Sequence, residues 1–198
     1  MKTIIIGGVA GGASAATRLR RLDESHEIVV LERSGYVSFA NCGLPYYIGG
    51  TIAERRALLL QTPSSLKARF GLDVRVKSEV IAIDPAARTV TVHDLDSGRT
   101  YVEGYDTLVL SPGASPIVPP IPGVQRAMTL RTVEDTDRIK EHVDALLAVG
   151  RSGEETDGSP GLSAVVIGGG FIGLEMAESL RERGMDVTVV ELGTQVMA

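Results

Sequence analysis

Residues 3–12 read Thr-Ile-Ile-Ile-Gly-Gly-Val-Ala-Gly-Gly. The β-branched run predicts a strand, and the glycines that follow it break the strand at Gly7. Residues 13–22 are rich in Ala, Leu and Arg and predict a helix, and residues 27–31 predict a second apolar strand. The start of the chain is therefore predicted to form a βαβ unit.

Nearly the same pattern recurs after residue 163. Residues 164–173 read Ala-Val-Val-Ile-Gly-Gly-Gly-Phe-Ile-Gly, and a helix is predicted from there to Arg183. Gly184 is placed to end that helix, and residues 186–190 predict the next strand. The chain contains two such units, and its predicted fold class is α/β with two Rossmann-like units.

A glycine turn between a strand and a helix lets backbone N–H groups approach a pyrophosphate at the positive end of the helix dipole. The second turn has the complete glycine motif, Gly168, Gly170 and Gly173. Glu191 ends the following strand, where its carboxylate can accept a hydrogen bond from a ribose hydroxyl. Because a carboxylate repels a 2′-phosphate, NADH is favoured over NADPH.

The first turn departs from the motif at one position. Gly7 and Gly12 fit, whereas Val9 stands at the middle glycine, and Glu32 ends the second strand at the right distance. Two such units in one chain suggest two different dinucleotides. The usual pair is a flavin that stores electrons and a nicotinamide that delivers hydride.

Shorter elements are predicted between the two units. Thr62-Pro63 opens a helix that Gly71 closes. Three alternating runs predict a small antiparallel meander over about residues 79–103, and residues 107–110 predict a buried strand. A helix is expected from about Val133 to Val149, followed by a polar loop over residues 150–161.

The domain boundary is predicted where prolines cluster. Residues 111–123 contain five of the nine prolines, a density that excludes a helix or an inner strand. The prediction is a first domain at 1–112, a linker at 113–123 and a second domain at 124–198. A doubly wound domain needs more parallel strands than one βαβ unit supplies, so the second domain is expected to be incomplete.

Composition narrows the class of protein. The hydrophobic fraction of 43% predicts a globular fold, and the net charge of −5 argues against a nucleic-acid or anionic-membrane surface. No run approaches the ~20 apolar residues that span a bilayer, and the N-terminus has no secretory signal pattern, so we expect a cytoplasmic protein. One cysteine and three histidines provide no disulfide and no metal-ligand spacing. The histidines are predicted to be surface or turn residues.

The surroundings of Cys42 carry a more specific resemblance. Residues 38–47, Ser-Phe-Ala-Asn-Cys-Gly-Leu-Pro-Tyr-Tyr, lie between the first glycine turn and Ser111-Pro-Gly113. With them the whole chain resembles the flavin-dependent pyridine nucleotide-disulfide oxidoreductases. Within that family it is most similar to the coenzyme A disulfide reductases and NADH-dependent persulfide reductases. The resemblance implies an FAD domain, the start of an NAD(P)H domain and, at full length, a homodimer.

The resemblance also implies which residues hold the cofactors and the substrate. For FAD they are Gly7, Val9, Ala10, Gly11, Gly12, Glu32, Arg33, Asn41, Val80, Ser111, Pro112 and Gly113. For the nicotinamide nucleotide they are Gly168, Gly170, Phe171, Ile172, Gly173, Glu175 and Glu191. For coenzyme A they are Ser14, Arg18, Arg21, Ser38 and Asn41.

Cys42 is the predicted catalytic residue. Dithiol relatives carry a second cysteine where this chain has Tyr47, so the partner sulfur must come from a substrate such as a disulfide, persulfide or polysulfide. The NADH oxidase and peroxidase branch cycles its cysteine through a sulfenic acid, and it typically carries a histidine where this chain has Ala10. Thiol exchange is therefore favoured over oxidase or peroxidase chemistry.

Plainer interpretations stand beside these. A free cysteine is often a buried, inert residue, and the chain would then be a nucleotide-binding or electron-relay module without catalysis. Arg18 and Arg21 also fit a solvated basic face, and Glu175 also fits a glutamate that stabilises a helix dipole. Phe70 stands where the family can offer a further cation, which weighs against coenzyme A.

Overall fold

A computed structural model describes residues 1–152 and 161–197 of the chain. Its elements follow in the order β1 (Lys2–Ile6), α1 (Ala10–Leu22), β2 (Glu27–Leu31), α2 (Leu44–Gly49), α3 (Pro63–Phe70), β3 (Asp73–Arg75), β4 (Ser78–Asp84), β5 (Thr89–Asp94), β6 (Thr100–Gly104), β7 (Thr107–Leu110), α4 (Val133–Ser152), β8 (Ser163–Ile167), α5 (Phe171–Glu182) and β9 (Asp186–Val190). Short 3-10 turns lie at Asn41–Gly43, Arg55–Leu58 and Val124–Arg126. Parallel strands alternate with helices in both predicted units, which confirms the α/β class.

The chain divides into two compact units. The first consists of residues 1–39 and 59–115, and the second of residues 40–58 and 116–198. The sequence prediction assigned residues 40–58 to the first domain, whereas in the structure they belong to the second unit. The reason is that α2 packs on α4 and α5, and Ile48 is fully buried in the same core as Val143 and Met176.

The first unit is built on a parallel sheet with the strand order β3-β2-β1-β7. Successive side chains of β1 point to opposite faces, so Ile4 and Ile5 enter different cores. Ile5 packs with Ala16 of α1 and Leu66 of α3, and Ile4 packs with Val90 of the meander. The helices therefore cover one face of this sheet and the meander covers the other.

The connecting elements of the first unit follow their sequence signals. Thr62 and Ser65 form a reciprocal capping box at the start of α3, and Gly71 ends the helix in the left-handed conformation, as predicted. Strands β4, β5 and β6 form the predicted antiparallel meander. Strand β7 pairs with β1 as an outer strand, and Leu110 is 61% exposed, so the prediction of a buried strand was wrong.

The second unit contains one parallel pair, β8 and β9, joined through α5. Gly184 follows α5 with φ +85, as predicted for the residue after the helix. One face of the pair packs Ala164, Val166 and Val187 against a core shared by α4 and α5. The predicted polar loop at 150–161 lies mostly outside the described residues.

None of the helices in the described ranges is both long enough and apolar enough to cross a bilayer. Within the same ranges, no group of three or more His, Cys, Asp or Glu side chains is arranged to hold a metal ion. The prediction that the histidines are surface or turn residues holds for His26 as a turn residue, since its N–H lies 3.4 Å from Asp23 O across the turn, but His26 is not on the surface. Its ring is 4% exposed because it lies beneath β1, and its Nε2 is 2.7 Å from the Thr3 hydroxyl.

Candidate functional site

The first glycine turn brings the end of β1 close to the start of α1. Gly7 has φ +96, and its N–H donates to Leu31 O at 2.8 Å. A Cβ atom on Gly12 would lie 1.7 Å from Gly7 O, and one on Gly7 would lie 2.0 Å from Ser111 O. These approaches exclude any larger residue at either position.

The N-terminus of α1 is open to a bound anion. Val9 is the N-cap residue and makes no side-chain capping bond, and the first turn contains no acidic residue. The first N–H groups of a helix lack partners within the helix and carry its positive dipole end. The predicted FAD residues Val9, Ala10 and Gly11 therefore lie where a pyrophosphate fits.

Glu32 lies at the end of β2 beside this turn. Its side chain is 9% exposed, and its carboxylate accepts hydrogen bonds from Gly8 N at 2.7 Å and Ser34 N at 2.8 Å. An adjacent cavity of about 270 Å³ includes six predicted FAD residues in its wall, namely Gly7, Glu32, Arg33, Val80, Pro112 and Gly113. The donors, the carboxylate and the cavity together fit the predicted dinucleotide. Asn41 is the predicted FAD residue that belongs to the second unit.

The second glycine turn repeats the same hydrogen bonds. Gly168 has φ +106, and its N–H donates to Val190 O at 2.8 Å. A Cβ atom on Gly173 would lie 2.0 Å from Gly168 O. Gly170 is the N-cap of α5 and makes no side-chain cap, so this helix N-terminus is also open.

Glu191 occupies the position that corresponds to Glu32. Its carboxylate accepts from Gly169 N at 2.5 Å and from Gly193 N at 2.8 Å. The Gly193 N–H, followed by that of Gly169, holds the pKa of the Glu191 carboxyl below its usual value. Glu191 is therefore ionised and exposed at neutral pH, as a ribose acceptor must be.

The remaining predicted residues of the second turn lie on the first turns of α5. Phe171 and Ile172 are 73% and 53% exposed, and Glu175 follows one helical turn later, half-buried. These residues lie in the first turns of the helix, and their contact with a nucleotide stays a prediction.

Cys42 is exposed, in a 3-10 turn that continues directly into α2. Ala40 N donates to Leu58 O at 2.8 Å and Gly43 N donates to Ala40 O at 3.0 Å, so both ends of the turn are held. Gly43 is buried against Leu58, whose Cδ2 would lie 2.9 Å from a Cβ atom on Gly43. Backbone hydrogen bonds and the contact with Leu58 hold the turn, while the Cys42 side chain is exposed to solvent.

The segment that carries Cys42 is attached to α4 by polar contacts as well. Arg55 makes a two-bond ion pair with Asp137 at 2.8 and 2.6 Å. The ammonium of Lys140 lies 5.2 Å from the centre of the Tyr47 ring. Sequence reasoning missed these contacts because their partners are 82 and 93 positions apart in the sequence.

The predicted coenzyme A residues fall in both units. Ser14, Arg18 and Arg21 are exposed on α1, and Ser38 lies beside the first turn, where its N–H donates to Gly8 O at 2.9 Å. Asn41 belongs to the second unit, next to Cys42.

A further basic surface was missed by the sequence prediction. The Phe70 ring lies 5.2 Å from the Arg69 guanidinium and 6.0 Å from that of Arg21. These side chains, with Arg20, line a cavity of about 610 Å³. The family can offer a cation at position 70, where this chain has Phe70. Arg69 supplies a cation one residue earlier, beside the Phe70 ring.

Comparison with known proteins agrees with this arrangement. Residues 1–198 match the family model described as pyridine nucleotide-disulphide oxidoreductase. A coenzyme A disulfide reductase of Staphylococcus epidermidis is 40% identical over 202 residues, which cover 98% of this chain and 41% of the relative. The chain thus spans less than half the length of this curated relative.

Solved structures show the same likeness. The crystal structure of reduced CoADR-RHD from Bacillus anthracis has a TM-score of 0.90 and 54% identity, covering 99% of this chain and 33% of that one. The structure of an NAD-dependent persulfide reductase from A. fulgidus has a TM-score of 0.86 and 36% identity, with 99% and 34% covered. The predicted family and the two-unit architecture are confirmed by these matches.

Proposed function

Because this chain belongs to the pyridine nucleotide-disulphide oxidoreductase family, we propose that it uses NAD(P)H and FAD to reduce a substrate disulfide or persulfide through Cys42. The single observation that carries the proposal is the setting of this thiol. Cys42 is the only cysteine of the chain, and it is exposed on a turn whose backbone is held by hydrogen bonds at both ends. A cysteine that served only for packing would point into the core.

The chemistry follows from the lack of a second thiol. The Cys42 thiolate attacks one sulfur of a substrate disulfide, forms a mixed disulfide with it and releases the other half as a thiolate. Two electrons and one proton then cleave the mixed disulfide, which regenerates the Cys42 thiolate and frees the second half as a thiol. With a persulfide, the corresponding products are hydrogen sulfide and the parent thiol.

The electrons come from the two predicted dinucleotides. Bound FAD would supply a two-electron store between the nicotinamide and the disulfide. The residues assigned to holding it are those around Gly7, Gly12 and Glu32, and the N-terminus of α1 with the cavity beside Glu32 supports that assignment. The residues around Gly168, Gly173 and Glu191 would hold the nicotinamide nucleotide.

The proposal favours NADH over NADPH. Glu191 is ionised, and a charged carboxylate beside the ribose opposes the charge of a 2′-phosphate. Within the described part of the chain, the donors to this carboxylate are backbone N–H groups, and no arginine side chain is among them.

The favoured substrate is a coenzyme A disulfide or persulfide. The names of the matched relatives support this, as do the exposed cations Arg18 and Arg21 on α1. The proposal assigns residues 1–112 to FAD binding and 124–198 to the nicotinamide nucleotide, although residues 40–58 pack with the second unit. It also includes a homodimer for the whole protein. An exposed unpaired thiol is stable in a reducing compartment, which supports a cytoplasmic site of action.

Replacing Cys42 with serine tests the proposal directly. We expect Cys42→Ser to keep its bound flavin, visible as absorbance of the purified protein, and to lose disulfide- or persulfide-dependent NADH oxidation by about 100-fold or more. NADH consumption is measured with coenzyme A disulfide, coenzyme A persulfide, oxygen and peroxide in parallel.

Each result has a distinct meaning. Faster turnover with oxygen or peroxide than with either coenzyme A substrate would replace the proposal by an oxidase or peroxidase. Retained disulfide reduction in Cys42→Ser would exclude the thiol mechanism. Asn41→Ala is the matched variant in the same turn, and it should weaken substrate binding while keeping measurable reduction.

A further inference from the structure

The helical run that begins with the Cys42 turn is held by α5 at its other end. Residues Asn41–Gly43 run directly into α2 (Leu44–Gly49), so Cys42 and Ile48 belong to one continuous helical run. Arg183, the residue that follows α5, donates from Nη1 to Ile48 O at 2.8 Å. This carbonyl lies in the last turn of α2, where C=O groups lack partners within the helix. The Arg183 guanidinium therefore caps the C-terminus of α2.

The same guanidinium connects α2 with α4. Arg183 Nη2 donates to Asp144 Oδ1 of α4, and Lys140 Nζ lies 3.2 Å from Asp144 Oδ2. The Lys140 ammonium in turn lies 5.2 Å from the centre of the Tyr47 ring of α2. These contacts form a closed ring from Ile48 through α5 and α4 back to Tyr47. The Arg183 side chain is only 20% exposed, so its bonds are partly shielded from competing water.

Close packing beside this ring adds no second strong polar bond. A Cβ atom on Gly49 of α2 would lie 2.8 Å from Ser179 Cβ of α5. Ser179 is 1% exposed and, in the part of the chain that the structure describes, its hydroxyl oxygen has no hydrogen-bond partner. The bond from Thr51 Oγ1 to Glu182 Oε2 is exposed and long, at 3.4 Å. Arg183 therefore supplies the short, directional bond between this segment and α5.

The orientation of Cys42 depends on both ends of its helical run. The backbone bonds of the turn and the contact between Gly43 and Leu58 hold the first end, and Arg183 holds the other. A run that is held only at Leu58 can pivot there, which changes the direction of the Cys42 side chain. Thiol exchange requires the sulfur to meet its partner at bonding distance, and a misplacement of about 1 Å can cost about 100-fold in rate.

We propose that Arg183 is a positioning residue that sets the orientation of the Cys42 thiol, because it holds the far end of the helical run against α5 and α4. The inference rests on the proposed function for the reactivity of Cys42. It assigns a role to a residue that has none in the sequence prediction.

The test replaces Arg183 with methionine in the full-length, FAD-loaded protein. Methionine keeps an apolar stem and removes both donors. NADH oxidation is measured with coenzyme A disulfide and with ferricyanide, which takes electrons from a reduced flavin without Cys42. We expect the ratio of the disulfide rate to the ferricyanide rate to fall about tenfold in Arg183→Met. A merely structural role lowers both rates alike and leaves this ratio unchanged.

Hydrogen exchange gives a readout that does not depend on turnover. The Gly50 N–H donates to Tyr46 O at the end of α2, and the Gly71 N–H donates to Lys67 O at the end of α3, with both glycines in the left-handed conformation. In Arg183→Met we expect the Gly50 amide to exchange about tenfold faster. The Gly71 amide is the internal reference and should keep its rate, since α3 belongs to the first unit.

Arg181→Met is the matched control, because Arg181 is an exposed arginine in the last turn of the same helix. It should leave the rate ratio and the Gly50 exchange unchanged. Gly49→Ala disturbs the same contact from the side of α2, since its Cβ atom would press on Ser179, and it should change both readouts in the direction of Arg183→Met. An unchanged ratio or unchanged Gly50 exchange in Arg183→Met would overturn the proposal, and so would equal effects in Arg181→Met.

Failure of this inference is distinguishable from failure of the proposed function. A protein that reduces coenzyme A disulfide through Cys42 but keeps its rate ratio in Arg183→Met retains the function and loses the positioning role. Retained disulfide reduction in Cys42→Ser removes the proposed function and the positioning role together, even where Gly50 exchange is accelerated in Arg183→Met.

Discussion

The two glycine turns of this chain make the same hydrogen bonds in different surroundings. In each turn, the N–H of the first glycine, Gly7 or Gly168, donates to the strand that follows the helix. The N–H of the next residue, Gly8 or Gly169, donates to the glutamate at the end of that strand. The first turn is also enclosed by Ser111, whose carbonyl oxygen would lie 2.0 Å from a Cβ atom on Gly7. No described atom lies within 4 Å of the corresponding position on Gly168.

The glutamates differ in the same direction. Glu32 is 9% exposed, whereas Glu191 is exposed to solvent. The two turns make the same hydrogen bonds, although only the first is enclosed by a neighbouring segment. The geometry of the turn is therefore a property of the local βαβ unit. The neighbouring strand determines instead how far the turn can relax when a side chain is added.

The largest expected effect is therefore an alanine at Gly12. Its Cβ atom would lie 1.7 Å from Gly7 O and 3.1 Å from the Ile5 side chain, and Ser111 prevents Gly7 from moving away. Overpacking of this kind costs about 3 kcal/mol, which is about 100-fold in an equilibrium. We expect Gly12→Ala to lose bound flavin, measured as the ratio of flavin to protein absorbance after purification.

Gly173→Ala is the paired variant. Its Cβ atom would approach Gly168 O to 2.0 Å, but the turn has open space beside Gly168 and alanine is found at this position in related motifs. We expect its NADH affinity to fall by only about tenfold. If flavin binding in Gly12→Ala and NADH binding in Gly173→Ala fell by the same factor, enclosure by Ser111 would have no effect. Gly104→Ala is the control for the substitution itself, because the nearest neighbour of its added Cβ atom would be 4.0 Å away.

The sequence predicted the features that are local to each turn. The spacing of Gly168, Gly170 and Gly173 and the position of Glu191 are readable because strand, turn and helix are adjacent in the chain. The same holds for the capping box of Thr62 and for the meander. The predicted site residues remain predictions in their roles, although the structure gathers most of them around the two turns and Cys42.

The features that the sequence did not reveal depend on contacts between distant residues. The segment around Cys42 was assigned to the first domain because it precedes the proline cluster, yet Ile48 is buried among residues that follow it. The bond from Arg183 to Ile48 O spans 135 positions. The burial of His26 beneath Thr3 was missed for the same reason, since no local pattern marks either partner.

The middle position of the motif offers a second comparison between the turns. Val9 is the N-cap residue of α1, whereas Gly170 is the N-cap of α5, and no described atom lies within 4 Å of a Cβ atom on Gly170. A valine at 170 therefore fits the folded protein, and any cost must arise from the approach of a pyrophosphate.

We expect Gly170→Val to leave the thermal unfolding midpoint unchanged and to weaken NADH binding by about tenfold, measured by calorimetric titration. Val9→Gly is the reciprocal variant, and it should keep its flavin because removal of the Val9 side chain only widens the space at the N-terminus of α1. A lowered unfolding midpoint in Gly170→Val would mean that this glycine is required by the fold.

The smallest expected effect concerns the choice of nucleotide at Glu191. The backbone N–H groups of Gly193 and Gly169 hold the pKa of the Glu191 carboxyl below its usual value. The carboxylate therefore keeps its negative charge as the pH falls, and it loses that charge only below the lowered pKa. Glu191→Gln removes the charge, and we expect the preference for NADH over NADPH to fall about fivefold. The 2′-phosphate itself loses charge near about pH 6, so the preference is compared between the two proteins from about pH 7 to 8, where the phosphate keeps its charge. The fivefold difference should stay constant over that range, because Glu191 does not titrate within it. Equal preferences in the two proteins would show that the Glu191 carboxylate does not oppose the 2′-phosphate.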